Sequence, residues 1–434
     1  MMQSFFQVLL SFTVFSTLLV NAQSTIDRTT EQGEAAITDA DQECTPYSYS
    51  PVDDQIGSFP TVWGAASILP DDADALAMWN SISSSIPTNI DTKTQPPPSD
   101  YPSDDPDCWW TYDQCVSPKL TGLPPDIADA PEPSTLGYGF DDGPNCSHNA
   151  FYDFLQSQNQ KATFYFIGSN VADYPLEAQR ALAEGHEICA HTWSHPYMTT
   201  VSSENAFAEL WYSVQMIKLA VGVTPTCWRP PYGDIDDRIR AIANALGLQT
   251  IMWKYDTADA SVDGTTITDE TVENNYNDFL QTANSGAFTS TGAILLTHEL
   301  NNFTMSEAVK YYPQLKSAFQ YIVPVGVSLN KTQPYLESNY SLPTFDQYIS
   351  GTVTVTGSRI SPLNSTSAAP SSISTSSSSS PSSSASSTSS SPSKESAASA
   401  NAAQSAMNLS SGKGLLTLLI AAFSFHVSGI QNLL

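Results

Sequence analysis

Basic residues are scarce. The 434-residue chain carries 16 Lys and Arg against 44 Asp and Glu, a formal net charge of −28. That balance excludes a nucleic-acid binder, whose footprint is a basic patch or stripe. It also excludes tethering to anionic lipid by a polybasic cluster. Charge of either sign makes up only 14% of the chain, against about 25% in ordinary globular proteins. There are six cysteines and no CxxC pair, which argues against a thiolate metal site. No internal repeat is present. Long apolar runs occur only near the two ends.

What is there describes a folded, secreted body. Hydrophobic content of 41% and aromatic content of 10% exclude a wholly disordered chain. Length alone suggests roughly three domains, and the processing segments reduce that. Residues 5–20 are apolar, and Val20-Asn21-Ala22 puts small residues where signal peptidase needs them. Residues 1–22 therefore read as a secretory signal peptide. Residues 350–412 are mostly Ser, Thr, Ala and Pro. Such sequence cannot bury enough apolar surface to order itself, and reads as a disordered, O-glycosylated stalk. Residues 413–434 are a mostly apolar tail behind small residues, the pattern of a signal for glycosylphosphatidylinositol (GPI) attachment. The expected location is the cell surface, anchored to the plasma membrane or the wall.

The cysteines fit an oxidising route: Cys44, Cys108, Cys115, Cys146, Cys189 and Cys227 are even in number and all lie in the body. The sequence leaves their pairing open. Cys108–Cys115 is the simplest local pair, and Cys189–Cys227 would join the ends of two strands. Asn-x-Ser/Thr sites at Asn145, Asn302, Asn330, Asn339, Asn364 and Asn408 are candidate glycan acceptors.

Residues 23–134 read as an irregular, Pro- and Asp-rich N-terminal extension packed on the core, with one helix over 71–85. In residues 135–330 short apolar runs alternate with amphipathic ones. Strands are expected at 136–140, 162–167, 187–190, 226–229, 250–253 and 293–297. Helices are expected at 149–157, 175–184, 204–220, 236–246, 269–283 and 306–319. The alternation implies an α/β fold with a parallel sheet or barrel. Residues 331–349 extend the body. In such folds reactive groups sit just past the C-terminal ends of strands.

Five polar clusters fall there. Phe140-Asp141-Asp142-Gly143-Pro144 leaves two adjacent carboxylates at a turn. His191-Thr192-Trp193-Ser194-His195 spaces two imidazoles to face one way on a helical turn and pinch a cation. With a carboxylate they would form a His-His-Asp set that leaves a position open for water. Arg229-Pro230-Pro231-Tyr232-Gly233-Asp234 stiffens a loop behind an arginine suited to a carboxylate. Trp253 to Asp259 brings two further carboxylates, Asp256 and Asp259, and Leu296-Thr297-His298-Glu299 closes the set. His148, His186 and His426 lack such context and read as structural or incidental.

Taken in order, these clusters over about 136–324 resemble the polysaccharide deacetylases of carbohydrate esterase family 4, the NodB-like homology family that includes GPI-anchored fungal chitin deacetylases. The resemblance implies a distorted (β/α) barrel. It implies that Asp142, His191 and His195 bind one divalent metal ion, zinc or else cobalt. Asp141 would be the general base, held by Arg229. His298 would be the general acid, oriented by Asp259, with Asp256 as the alternative. The Tyr232 backbone N–H would stabilise an oxyanion, Leu296 would line the acetyl pocket, and Trp193 would support the wall.

Two positions depart from the family pattern. Gly139 stands where Thr or Ser is common, and Ala260 where a Trp usually shapes the sugar groove. The implied reaction is hydrolysis of N-acetyl groups of chitin, giving chitosan and acetate at the cell wall. The alternatives are another acetylated carbohydrate, such as acetylxylan or a monomeric N-acetylated sugar, or a non-catalytic wall-polysaccharide binder.

Overall fold

The computed structural model describes residues 27–352. The expected signal peptide, the stalk from residue 353 onward and the GPI tail lie outside the described residues. No helix among the described residues is long and apolar enough to cross a membrane.

Among the described residues nine short strands run parallel. They are β1 (Thr135–Gly137), β2 (Gly139–Gly143), β3 (Thr163–Phe166), β4 (Glu187–Ala190), β5 (Cys227–Trp228), β6 (Gln249–Thr250), β7 (Tyr255–Asp256), β8 (Ala293–Leu296) and β9 (Tyr321–Val323). They form a sheet of order β2-β3-β4-β5-β6 and a second of order β7-β8-β1-β9. The sheets meet where Asp141 bridges His298: the Asp141 N–H donates to Thr297 O, and the Glu299 N–H donates to Asp141 O. The extension reaches the other edge, where Ile127 bridges Ile251 beside β6. Strands buried on both faces carry continuous apolar runs; Phe164, Tyr165 and Phe166 of β3, and Ile188, Cys189 and Ala190 of β4, are all buried.

The single strand expected over 136–140 is two. The chain changes partners at Tyr138, whose N–H donates to Val323 O while its carbonyl accepts from the Thr163 N–H. Gly139 sits at that crossing: a Cβ there would lie 2.8 Å from Thr163 O and 3.2 Å from the Tyr165 ring. A Thr or Ser would not fit without movement, so this departure from the family pattern is a local packing requirement.

The helices lie close to their expected spans: Asn149–Ser157, Pro175–Ala183, Ser203–Val221, Asp237–Ala245, Asp269–Asn284 and Asn302–Ala318. Their ends follow from capping chemistry. Ser202 accepts from the Asn205 N–H, Asp236 from the Ile239 N–H, and left-handed Gly222 ends the helix Ser203–Val221. The last helix begins at Asn302 rather than 306 because Asn301 and Thr304 form a reciprocal capping box. Strands β7 and β9 had no counterpart in the sequence reading; β7 has only two residues.

Three disulfides close the body: Cys44–Cys146, Cys108–Cys115 and Cys189–Cys227. Cys189 and Cys227 belong to neighbouring strands β4 and β5. Cys44–Cys146 staples the extension to the loop after β2. The extension holds the expected helix, at Ala73–Ile82, and otherwise short turns. It is bound to the core at buried positions, as in the ion pair of Arg240 with Asp126 at 2.7 Å. Residues beyond β9 pack back on the core, where Tyr335 OH accepts from the Ile188 N–H.

Candidate active site

At the end of β2 the pairing with β3 slips between Asp141 and Gly143, and Asp142 takes a left-handed φ of 70°. In a regular strand adjacent side chains point to opposite faces. The bulge cancels that alternation, so two neighbouring carboxylates converge. His191 Nε2 lies 3.3 Å from Asp142 Oδ1 and 3.9 Å from Asp141 Oδ2, and His195 Nε2 lies 3.1 Å from Asp142 Oδ1.

The two histidines are not on a helical turn, as their spacing suggested. They flank an irregular loop after β4 in which Thr192 and His195 have φ of 67° and 59°. His191 Nδ1 lies 2.7 Å from Arg229 O. A carbonyl only accepts, so Nδ1 carries a proton and Nε2 is the ring atom that faces Asp142. Asp142 Oδ1 is buried and has no hydrogen-bond partner. Asp142, His191 and His195 each offer one ligand atom, all within 4.8 Å of one another. Converging acceptors with an orphaned buried oxygen suit a divalent cation. Asp142 is held well below the usual carboxylate range: burial opposes its charge, but His195 and His191 outweigh that cost. A second cluster, Glu187 with Cys189 and Cys227, offers no thiolate because its cysteines form a disulfide.

Asp141 is 2% exposed and accepts from Arg229 Nη1 at 2.7 Å. Arg229 is fully buried, with its guanidinium 3.9 Å above the Tyr165 ring and 5.6 Å from that of Trp253. The planar cation lies against two aromatic rings, gives one hydrogen bond to Asp141 and a second, from Nε, to Ile251 O.

His298 follows β8. Its Nδ1 is 2.6 Å from Asp259 Oδ1, and its backbone N–H donates to Asp259 Oδ2 at 3.1 Å. Burial works against the imidazolium, but Asp259, Asp142 and Asp141 together push the pKa up to about 10. Asp256 does not take this place; its carboxylate accepts from the Ala258 N–H within its own turn. Leu296 ends β8, buried, and its carbonyl accepts from Thr257. Tyr232 has a φ of 58° and is half-exposed; its ring packs on His195 at 4.6 Å and stacks on Tyr197 at 4.0 Å. Trp193 is fully buried, stacks on Phe59 of the extension at 5.8 Å, and donates from Nε1 to Thr61 O.

Sequence reasoning missed the residues that hold these loops. Glu209, buried in the helix Ser203–Val221, accepts from the Trp193 and Ser194 N–H groups, from Ser194 Oγ and from the Ala66 N–H. Glu299 accepts from the Asn145 N–H and pairs with His148 Nδ1 at 2.9 Å. Asp234 accepts from Trp109, Thr111, Gln95 and Thr199. Their one sequence signal is a carboxylate inside or beside an apolar stretch. Asn145, read as a glycan acceptor, donates from Nδ2 to Leu300 O. That is the nitrogen a glycan would take.

Parallel strands that gather a carboxylate–histidine cluster, an arginine-held carboxylate and a carboxylate-held imidazole at their C-terminal ends define a hydrolase of the α/β class. The sequence model described as polysaccharide deacetylase matches residues 128–251. The chain is 51% identical over 338 residues to chitin deacetylase 2 of Cryptococcus neoformans var. grubii, covering 76% of this chain and 74% of that protein. It is 44% identical over 309 residues to the chitin deacetylase of Amylomyces rouxii, covering 69% and 73%. The solved chitin deacetylase of Colletotrichum lindemuthianum is 24% identical, with coverage of 50% and 96% and a TM-score of 0.45. The chain belongs to the polysaccharide deacetylase family.

Proposed function

We propose that this protein hydrolyses the N-acetyl groups of chitin to give chitosan and acetate. The observation that carries this is that two separately partnered groups, a carboxylate and an imidazole, stand beside one candidate cation cluster. Asp141 is fixed by Arg229 and His298 by Asp259, and Asp141 stands 3.9 Å from His191 of the cluster formed by Asp142, His191 and His195. Relatives named as chitin deacetylases supply the substrate class.

Asp142, His191 and His195 would hold a divalent ion, zinc by the donor set. When bound, such an ion supplies Lewis acidity toward an amide oxygen and lowers the pKa of water. Asp141 takes the proton of the attacking water, and Arg229 keeps the carboxylate aimed. A new C–O bond forms at the acetyl carbon while the Tyr232 backbone N–H donates to the developing oxyanion. The C–N bond then breaks, and His298 gives its Nε2 proton to the departing amine. With Nδ1 committed to Asp259, only Nε2 is free for that transfer. Leu296 borders the acetyl methyl group, and Trp193 braces the wall.

Disulfides and relatives of this kind suit an extracellular setting. We place the protein at the cell surface, secreted by its leader and held by a GPI anchor, on the composition of residues 1–22 and 350–434. Ala260 in place of a bulky aromatic favours, as the second reading, a different acetylated carbohydrate. Acetate release from chitin oligomers, acetylxylan and monomeric N-acetylglucosamine, before and after chelation and with zinc restored, separates these readings. Zinc-dependent release from chitin oligomers supports the first. Release from acetylxylan or monomer alone supports the second. Polysaccharide binding without release supports a wall-binding protein.

A further inference from the structure

We propose that Trp63, from the N-terminal extension, is a sugar-stacking platform that binds a neighbouring unit of the N-acetylhexosamine chain beside the reacting one. The inference rests on the deacetylase reading and assigns the extension a share in the substrate groove.

Among the described residues five large apolar side chains are markedly exposed: Trp63, Leu76, Tyr232, Leu300 and Leu336. Two of the five, Tyr232 and Leu300, stand on loops of the candidate site, and Trp63 stands on a loop tied to one of them. Tyr232 packs on His195. Leu300 lies two positions after His298. Trp63, 50% exposed, is tied to the metal-ligand loop. Its N–H donates to Ser169 Oγ at 2.8 Å, and that hydroxyl donates to Trp193 O at 2.7 Å. Its Nε1 donates to Asp173 Oδ2 at 3.1 Å. Ser169 and Asp173 belong to the helix Gly168–Asp173, whose Asn170 donates to Asp142 O at 2.7 Å. One short helix thus holds the backbone carbonyl of Asp142 and positions the indole.

The conformation is costly and selective. Trp63 has a φ of 62°, a region bulky residues avoid unless their surroundings impose it. The surroundings do impose it: Thr61 O accepts from Trp193 Nε1, the Gly64 N–H closes a turn on the same carbonyl, and the Ala66 N–H is held by Glu209. Phe59 and Ala66 of this segment are drawn inward while Trp63 is left outside. Its polar edge is satisfied by Asp173, so the exposed surface it offers is apolar. The C–H face of a pyranose ring is the matching chemistry, and aromatic side chains typically line such sites.

The test is steady-state acetate release by the full-length, zinc-loaded enzyme on chitin oligomers from dimer to hexamer, for the wild type, Trp63→Ala and Trp63→Phe. The expected result is a KM for the hexamer raised about tenfold in Trp63→Ala, with kcat little changed and a flatter dependence of kcat/KM on chain length. Trp63→Phe restores most of it. An unchanged length profile overturns the inference. So does an equal loss at every length with a lowered Tm, which marks a structural role. If the wild type releases no acetate from any chitin oligomer, the deacetylase reading fails instead. Calorimetric binding of the chitin hexamer to zinc-loaded Asp141→Asn, with and without Trp63→Ala, then decides the platform by itself: about tenfold weaker binding upholds it, and equal binding overturns it.

Discussion

Asp259 holds His298 at two points, the ring Nδ1 and the backbone N–H, with one carboxylate oxygen on each. A single contact would fix a distance; two fix the ring's direction as well. The proton on Nδ1 is therefore assigned, and Nε2 faces the site. The same carboxylate leads the group that raises His298 to about 10 against the cost of burial.

Replacing Asp259 with Asn keeps the shape and removes the charge. The His298 pKa must fall, so the acid loses its proton at a lower pH. The expected outcome is a kcat reduced by about 100-fold or more, with the alkaline limb of the pH profile displaced toward acid. Acetate release between pH 5 and 10 measures both. An unmoved alkaline limb would show that His298 does not set it.

The cation site makes a prediction that needs no turnover. Ligand atoms of Asp142, His191 and His195, one from each, lie within 4.8 Å of one another, so an ion bound there would stabilise the fold. An ion at about 100 times its Kd adds about 2.7 kcal/mol. Zinc should raise Tm and a chelator should lower it, with one zinc per chain by elemental analysis. Asp142→Asn should make Tm insensitive to both while the protein still folds.

Stability should fall as pH rises above neutrality. Burial raises Glu34 to about 7 against the pull of Arg28, Glu177 to about 8 against its Tyr47 hydrogen bond, and Glu299 to about 8 against the Asn145 N–H. A carboxyl whose folded pKa is raised favours folding most below its unfolded value, and that contribution is lost as pH passes the folded value. His148 and His186, lowered by burial, oppose folding only below about 6.5. Between pH 6.5 and 9 these carboxyls act in the same direction as His298, whose folded pKa of about 10 makes it too lose stabilisation as pH rises. Tm should drop across that window, and a flat or rising Tm would contradict the assignment.

The candidate site positions were legible because each is a polar cluster that interrupts an apolar run at a strand end. Asp141, Asp142, His191, His195, Arg229 and His298 all stand in such places, and the structure brings them together. The strand over 136–140 was misread because a partner exchange at Tyr138 leaves no trace in hydrophobic pattern. The histidine loop was read as helical because spacing alone cannot show the left-handed turns at Thr192 and His195. The extension was illegible for a different reason. Its segments are ordered by contacts far away in sequence, such as Ala66 with Glu209 or Trp109 with Asp234, and no local periodicity encodes those.

Glu209 joins the extension to the loop of His191 and His195, which makes it the sharpest probe of whether the two work as a unit. Its carboxylate takes four donors: the N–H groups of Trp193, Ser194 and Ala66, and the Ser194 hydroxyl. Removing it leaves buried donors without partners, at about 1–3 kcal/mol each. Glu209→Ala should therefore lower Tm strongly. Glu209→Gln is more informative, because it keeps the volume and one acceptor oxygen. Gln cannot serve all four donors, so the loop holding His191 and His195 should loosen while the core stays packed. The expected result is zinc affinity reduced about 10- to 100-fold, as when partners of metal ligands are lost elsewhere, with a modest drop in Tm. Zinc titration monitored by Tm reads this directly. Unchanged affinity in Glu209→Gln would mean that the left-handed turns at Thr192 and His195 hold the ligands unaided, and that the extension only covers the loop it touches.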